Sequence, residues 1–260
     1  MTEVLEDTIA YSIRDNIRKK MNRRTGEAEF RSWVNSLEYM YKVLNDDDIP
    51  EESGIAIEYN LPNTAKRVDF LISGYDNKQF PNVVIIELKQ WEKLSKVEGL
   101  DGIVETFTGG ANRRVVHPSY QAWSYAEMIK DYNEYTQITD VKLWPCAYLH
   151  NYLREENDPL DDAIYKDYLD DAPVFTKGDV RKLRAYIKEV VKEGDNNEIL
   201  YKIDNVRIKP SKSLQDAIVG MLESNPEFNL IDDQKVVFER IMELSRQCEK
   251  DGKKRVLIAR

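Results

Sequence analysis

The sequence predicts an α/β domain in which a mixed central sheet is flanked by helices. Its most apolar segment, residues 82–90, is bounded by turn signals and has the length and branched residues of a buried strand. Two shorter strand-like segments precede it, and segments with helical periodicity lie on either side of this group. Because a helix, three strands, a helix and a strand follow one another, we expect one layered α/β unit over residues 1–205.

Helical periodicity is clearest over Glu27–Leu44. Trp33, Leu37, Met40 and Leu44 recur at intervals of three or four residues, which places them on one face of a helix. The other predicted elements are helices 3–20, 119–131, 179–192 and 213–223, strands 55–59, 66–73 and 142–150, a loop over 74–81, and an acidic loop with a short helix over 154–171.

Composition narrows the possible classes of protein. The 260 residues carry a formal net charge of −9, which argues against a general polyanion-binding protein with a wholly basic surface. Two distant cysteines, Cys146 and Cys248, form neither a disulfide framework nor a metal-ligand pattern. With only two histidines, a metal would be held mainly by oxygen ligands, which favours Mg²⁺ or Mn²⁺ over Zn²⁺. Without a signal peptide or a long apolar run, the expected location is the reducing cytoplasm, with no membrane partner.

Charged residues within two apolar strands predict the chemistry. Asp69 stands at the start of one strand, and Glu87 and Lys89 stand near the end of the next. Because side chains alternate along a strand, Glu87 and Lys89 share a face with Val83 and Ile85. An unpaired buried charge is costly, and a divalent cation held by the carboxylates would remove that cost. The alternative is a solvent-exposed Glu–Lys pair without a catalytic role.

The segment 117–125 opens the helix that follows these strands. It places Gln121 and Tyr125 one turn apart on the same helical face. This Gln-x-x-x-Tyr pattern, coming after Asp…Glu-x-Lys, resembles the RecB-like and lambda-exonuclease-like branch of the PD-(D/E)XK nucleases. In that branch the helix packs beside the metal site, so Gln121 and Tyr125 would order the site or the substrate.

The resemblance implies a restriction-endonuclease-like fold and metal-dependent cleavage of phosphodiester bonds in DNA. Asp69 and Glu87, with the backbone carbonyl of Leu88, would bind Mg²⁺ or Mn²⁺. Lys89 would be catalytic, either by orienting the attacking water or by stabilising the transition state.

Three further stretches, residues 29–37, 57–62 and 87–91, resemble one subgroup of these nucleases. In that subgroup the nuclease fold precedes a superfamily-1-like ATPase related to the group-three Schlafen helicases. A first-helix acid supports the site in many such nucleases, which implies a role for Glu29, with Glu58 as the second possibility. The alternatives are a helix N-terminal charge for Glu29 and an ion pair between Glu58 and Arg67.

Basic residues beside these motifs are the expected DNA contacts. Solvated surface charge is the alternative interpretation of each of them. The residues are Arg67, Arg113, Arg114 and His117.

Residues 206–260 predict a helical extension of a different character. Residues 228–234 resemble the helicase Q-motif, in which a glutamine, here Gln234, recognises adenine. A helix over 235–250 and an apolar strand over 255–259 are expected next. The phosphate-binding loop that follows such a strand in helicases does not occur in the sequence. We therefore expect an ATPase or helicase region C-terminal to this chain, and expect the chain alone not to bind or hydrolyse ATP.

Three functional hypotheses follow. The first is an Mg²⁺- or Mn²⁺-dependent deoxyribonuclease within a nuclease–helicase protein of anti-phage defence, restriction or repair. The second is a nuclease-fold module that binds DNA or docks a protein without cleaving. The third is a nuclease that requires its ATPase region for activity. The strandedness of the substrate, RNA as an alternative, endo- or exonucleolytic cleavage and homo-oligomer formation stay open.

Overall fold

The computed structural model describes residues 27–61, 64–212, 215 and 229–257. The predicted helix 3–20 lies outside these ranges, as does nearly all of the predicted helix 213–223. Within the described part of the chain, no helix is both long and apolar enough to cross a membrane.

A mixed five-stranded sheet forms the centre of the protein. Its strand order is β1-β2-β3-β7-β8, with β2 antiparallel to both β1 and β3, and with β7 and β8 parallel to β3. The α/β class and the mixed sheet predicted from sequence are thus confirmed. The strands of this sheet are β1 (Gly54–Asn60), β2 (Arg67–Tyr75), β3 (Pro81–Lys89), β7 (Lys142–Leu149) and β8 (Val174–Thr176). The helices bounded within the described residues are α1 (Glu27–Leu44), α2 (Pro118–Tyr132), α3 (Glu134–Ile138), α4 (Lys166–Asp171), α5 (Val180–Val190), α6 (Glu198–Asn205) and α7 (Asp233–Asp251).

Helices cover both faces of the sheet. On one face, α1 and α5 pack on the side of β3 that carries Val84 and Ile86. On the other face, α2 and α6 pack on the side that carries Val83 and Ile85. The strict alternation along β3 confirms the two faces predicted for this strand, and it directs Glu87 toward α2.

A second sheet, which the sequence pattern did not predict, lies between β3 and α2 in the chain. It contains the antiparallel strands β4 (Leu94–Lys96), β5 (Ile103–Thr108) and β6 (Ala111–Val116). Gly109 and Gly110 connect β5 to β6 with φ values of 57° and 80°, the left-handed conformation that a tight two-residue hairpin requires. The strands are short and the side chains of β6 are mostly exposed, so alternating hydrophobicity is weak in this part of the sequence.

Other boundaries differ from prediction in small ways. β2 ends two residues later and β3 begins one residue earlier than predicted, so their connection is shorter than the expected loop 74–81. The acidic stretch contains two short 3₁₀ turns in addition to α4. Helix α7 matches the helix predicted over 235–250. The strand predicted over 255–259 is wrong for residues 255–257, which have no regular structure, and its last two residues lie outside the described ranges.

Candidate active site

The antiparallel pairing of β2 with β3 brings the predicted acids together. Phe70 pairs with Ile86, so the same register places Asp69 opposite Glu87 at the next position. On the other side, β3 is paired in parallel with β7, where Ala147 lies beside Glu87. The two acids therefore lie side by side on paired strands, although the loop of the hairpin separates them in the chain, and Asp69 lines the first cavity described below.

Glu87 is the most deeply placed charge of this group, with 1% of its surface exposed. Its Oε2 atom accepts a hydrogen bond from Lys89 Nζ at 3.1 Å. Its Oε1 atom is buried and has no hydrogen-bond partner among the described residues. The alternative of a solvent-exposed Glu–Lys pair is thus wrong, and one carboxylate oxygen is oriented for an interaction that the described polypeptide does not supply.

Asp69 is held by the backbone of the neighbouring strand. Its Oδ2 atom accepts a hydrogen bond from the backbone N–H of Leu88 at 2.8 Å. Burial raises the pKa of this carboxyl, and the nearby Lys89 opposes that rise. Leu88 itself directs its side chain to the opposite face of β3, against the core between the sheet and α1.

Burial raises the pKa of Glu87 well above its ordinary value, and repulsion by Asp69 raises it further. For Lys89, burial alone would lower the pKa, but attraction by Glu87 and Asp69 raises it above the ordinary value. The lysine thus remains charged while one of the two acids tends to hold a proton. A second cation beside the acids would release that proton.

Gln121 and Tyr125 both reach the same place from α2. Gln121 Nε2 donates to Tyr125 Oη at 2.9 Å, as expected for side chains one turn apart. Tyr125 Oη in turn donates to Asp232 Oδ2 at 2.5 Å. The predicted convergence of the helix motif with the Asp…Glu-x-Lys strands is therefore observed, and the tyrosine contacts a residue that was not expected there.

Glu58 borders the site from β1. Its carboxylate accepts a hydrogen bond from Trp33 Nε1 at 2.6 Å and pairs with Arg67 Nη1 at 2.9 Å. The predicted alternative, an ion pair between Glu58 and Arg67, is thus confirmed. Glu58 also has φ 55° within a strand, an unfavourable conformation for a residue with a side chain. Glu29 lies in α1, but its side chain is outside what the structure describes.

The expected DNA contacts differ in their surroundings. His117 is completely buried, because its ring accepts the Ser119 N–H at the start of α2 and stacks on Tyr165. Burial lowers the pKa of His117 to about 4. The ring therefore caps and packs a helix and cannot reach DNA, which corrects the expectation for this residue. Arg67 is mostly buried in its pair with Glu58.

Arg113 and Arg114 both stand on β6, where alternation directs them to opposite faces of the small sheet. Arg113 is exposed and lies against the Gly109 carbonyl of the hairpin. Arg114 pairs with Glu243 of α7, with 3.1 Å between Nη1 and Oε2. Of these two arginines, Arg114 lines a cavity that Lys89 also lines.

Asp232 and Lys66 are site residues that the sequence pattern did not indicate. Asp232 is 8% exposed and its Oδ2 atom lies 3.1 Å from Lys66 Nζ. Its Oδ1 atom is buried and has no partner in the described part of the chain. The Q-motif resemblance of residues 228–234 pointed to Gln234, but the acid two positions earlier is the one that enters the site. Asp232 lies in a turn, far along the chain from Lys66 and Tyr125, and hydrophobic periodicity gives no signal for such a contact.

Two adjoining cavities surround these side chains. The first, of about 380 Å³, is bounded by α1, β1, β2 and α2. The second, of about 560 Å³, is bounded by β3, β6 and α7. Residues that line both cavities are Lys66, Leu88, Gln121 and Asp232. Asp69 opens to the first cavity and Lys89 to the second, so the acid and the lysine face the space from two sides.

The donor set fits a hard cation with few protein ligands. Within the described residues, no three Asp, Glu, His or Cys side chains are grouped closely enough to hold a metal ion by themselves. Mg²⁺ is commonly bound through one or two carboxylates, with water and substrate oxygens as its remaining ligands. The partnerless Glu87 Oε1 beside Asp69 is the feature of this site that fits such an ion.

Comparison of the chain with protein-family models, with curated proteins and with solved structures finds no match in any of the three.

Proposed function

We propose that this protein is a metal-dependent nuclease that cleaves phosphodiester bonds of DNA. The observation that carries the proposal is Glu87, a buried carboxylate with an adjacent Asp69, a bonded Lys89 and one oxygen that no described residue contacts through a hydrogen bond. A buried acid pair without a bound cation is electrostatically unfavourable, and such arrangements cluster at functional sites.

Asp69 and Glu87 would hold Mg²⁺ or Mn²⁺, with the carbonyl of Leu88 as a further ligand. The bound cation would lower the pKa of a water molecule and neutralise charge on the phosphate. Lys89 lies within hydrogen-bond distance of Glu87, where its ammonium group can hold that water and stabilise charge that develops on the phosphoryl oxygens.

Residues of α1, α2 and β1 orient the site. Gln121 and Tyr125 form a hydrogen-bonded pair on the wall shared with the acids, and the pair can hold a phosphate or sugar oxygen in position. The carboxylate of Glu58 is bound by Trp33 and Arg67. Its role is therefore to hold the wall of the cavity in place, and not to bind the cation itself. This assigns the supporting role on the β1 side to Glu58, and leaves Glu29 as an expectation.

The strand order supports the PD-(D/E)XK fold in particular. An antiparallel hairpin, β2–β3, carries the acids, the small sheet and then helix α2 follow, and a parallel strand, β7, pairs with the second strand of the hairpin. The resemblance in sequence predicts the same order of acid, Glu-x-Lys and Gln-x-x-x-Tyr. Membership of a nuclease–helicase protein in defence, restriction or repair rests on that resemblance alone.

The test is cleavage of labelled single- and double-stranded DNA with Mg²⁺, with Mn²⁺ and with a chelator. We expect cleavage by the wild-type chain only with a metal, and its loss in Glu87→Gln and Lys89→Ala. Lys142→Ala, which removes an exposed lysine from the far end of β7, is the matched control and should cleave normally. Full activity of both site variants would disprove the proposal.

A second function, DNA binding without cleavage, is favoured by one observation. Asp232 already accepts hydrogen bonds or ion pairs from Tyr125 and Lys66, two donors that a substrate would otherwise use. This version predicts that Mn²⁺ raises the melting temperature of the wild-type chain but not of Asp69→Asn, while no DNA or RNA is cut under any condition.

A further inference from the structure

Helix α7 presents its charged side to the rest of the protein and its apolar side to solvent. Lys235 and Glu239 are its buried residues, whereas Phe238, Ile241 and Met242 are exposed. This is the reverse of an ordinary amphipathic helix, which buries its apolar stripe. Val236 of α7 packs against the cluster that contains Ile103 and Tyr120, but other inward contacts of the helix are ionic, between Lys235 and Asp101 and between Glu243 and Arg114.

The contacts of α7 and the turn before it place carboxylates on cations. Residues 229–251 are here named the cover segment. Lys66 Nζ lies 3.1 Å from Asp232 Oδ2 and 3.0 Å from Asp233 Oδ2. Arg114 Nη1 lies 3.1 Å from Glu243 Oε2. The cover segment thus supplies three acidic partners to two cations that belong to the sheets.

Both cations line the cavity that adjoins the proposed catalytic lysine. Lys66, Lys89 and Arg114 all border the space of about 560 Å³, together with Asp232 and Asp233. Two lysines and an arginine beside the proposed catalytic centre provide the positive charge that attracts the phosphates of a nucleic acid. The protein as a whole is acidic, with a net charge of −9, so a nucleic acid would have to bind at a local cationic surface of this kind.

We infer that Lys66 and Arg114 are phosphate-binding residues, and that the cover segment masks them by placing Asp232, Asp233 and Glu243 where phosphates of a nucleic acid would lie. The inference rests on the proposed function and adds to it a substrate-binding surface and its competitor. The carboxylates of the cover segment occupy the positions that DNA phosphates would take. DNA must therefore displace the cover segment in order to bind.

The geometry of the turn supports a contact that can be released. Asp232 has φ 42° and ψ −113°, a strained conformation that surrounding contacts must maintain. Those contacts are the Tyr125 and Lys66 bonds to its side chain, and the hydrogen bond from Tyr120 Oη to the Leu230 carbonyl at 2.6 Å. Asp233 is 90% exposed at its side chain, so its ion pair with Lys66 is weak and screened by salt.

The experiment measures binding of a fluorescein-labelled oligonucleotide by anisotropy, in a chelator so that no cleavage occurs. The test variant is Asp232→Asn/Asp233→Asn/Glu243→Gln in the full chain. We expect its Kd to be about tenfold lower than that of wild type, because three competing charges are removed. The matched control, Asp47→Asn/Asp167→Asn/Glu156→Gln, removes the same charges from exposed positions outside the cover segment, and should change Kd by about twofold or less.

Two further variants test whether the tighter binding comes from release of the cations. Asp233→Asn alone alters only a mostly exposed side chain, so we expect the fold to stay intact, and it should produce a smaller decrease in Kd. In a Lys66→Ala/Arg114→Ala background, the same three acid substitutions should no longer tighten binding, because the phosphate-binding side chains are gone.

The outcomes separate this inference from the nuclease proposal. An unchanged or higher Kd in the test variant relative to the control overturns the cover, even if Mg²⁺-dependent cleavage by the wild type is found. A tightening that persists without Lys66 and Arg114 overturns it as well. Tighter binding that depends on both residues supports the cover, even if no variant cleaves DNA.

Discussion

Glu87 and Asp195 are two buried carboxylates with different surroundings. Glu87 lies near the end of β3, and Asp195, from the connection between α5 and α6, lies beside Ser73 of β2. Asp195 is 3% exposed and accepts three hydrogen bonds, from the Gly54 N–H, from Ser73 Oγ and from the Ile199 N–H. Glu87 is buried to a similar degree but accepts one, from Lys89, and its Oε1 has no partner among the described residues. A carboxylate with a structural role has its oxygens satisfied by the fold, whereas one with an open oxygen indicates a ligand.

The neighbourhood of Asp195 is built closely around that acid. A Cβ atom on Gly54 would lie 2.3 Å from Ser73 Oγ and 3.0 Å from Asp195 Oδ1, so only glycine fits where the strand approaches the carboxylate. Around Glu87 the neighbouring residues instead open to two cavities. The fold is thus closely packed at the structural acid and leaves space beside the other.

The largest effect that would test this comparison is on catalysis. Glu87→Gln keeps the shape of the side chain and removes its negative charge, so we expect cleavage to fall by about a thousandfold or more. The rate is measured in single-turnover DNA cleavage with Mn²⁺. A rate within about tenfold of wild type would mean that the partnerless oxygen has no ligand role.

The next effect is on stability and concerns the other acid. Asp195→Ala leaves the Gly54 and Ile199 N–H groups without their acceptor, so we expect it to lower the free energy of unfolding by about 3 kcal/mol. Urea denaturation measures the loss. In contrast, Glu87→Gln should change the same quantity by about 1 kcal/mol or less. Equal losses at both positions would remove the distinction between the two carboxylates.

A smaller effect is expected at the tyrosine that joins α2 to the cover segment. Tyr125→Phe removes the hydroxyl that donates to Asp232 and accepts from Gln121. We expect single-turnover cleavage to fall by about tenfold and the free energy of unfolding by about 1 kcal/mol. Tyr201→Phe, at an exposed tyrosine of α6, is the control and should leave both unchanged.

The smallest effect concerns the pH dependence of metal-free stability. Burial and Asp69 raise the pKa of Glu87 in the folded state above its ordinary value of 4.5. Below that value both states carry the proton. As pH rises past it, the unfolded state loses the proton more readily, so the favourable contribution of Glu87 to stability is lost. The stability of Glu87→Gln relative to wild type should therefore increase from pH 4.5 toward neutrality, measured by thermal melting in a chelator. A constant difference across that range would contradict the raised pKa.

Local sequence pattern was sufficient for much of the central sheet. The period of two along β3 placed Val83, Ile85 and Glu87 on one face, and the period of three and four identified α1 at its observed bounds. The two periods follow from backbone geometry, which repeats within a few residues and therefore leaves a mark in the sequence. The expectation that α2 lies beside the acids came instead from the family resemblance carried by Asp69, Glu87 and Gln121.

Other features were decided only by tertiary structure. The contact between Tyr125 and Asp232 joins residues 107 positions apart, and no local period connects a turn to a helix face at that distance. The burial of His117 depends on Leu160 and Tyr165 from a later loop. The sequence by itself thus determined which two strands carry Asp69 and Glu87 and which face of its strand Glu87 occupies. Tertiary packing decided which oxygen of Glu87 is left open and which acids cover the cations, because both depend on contacts between distant segments.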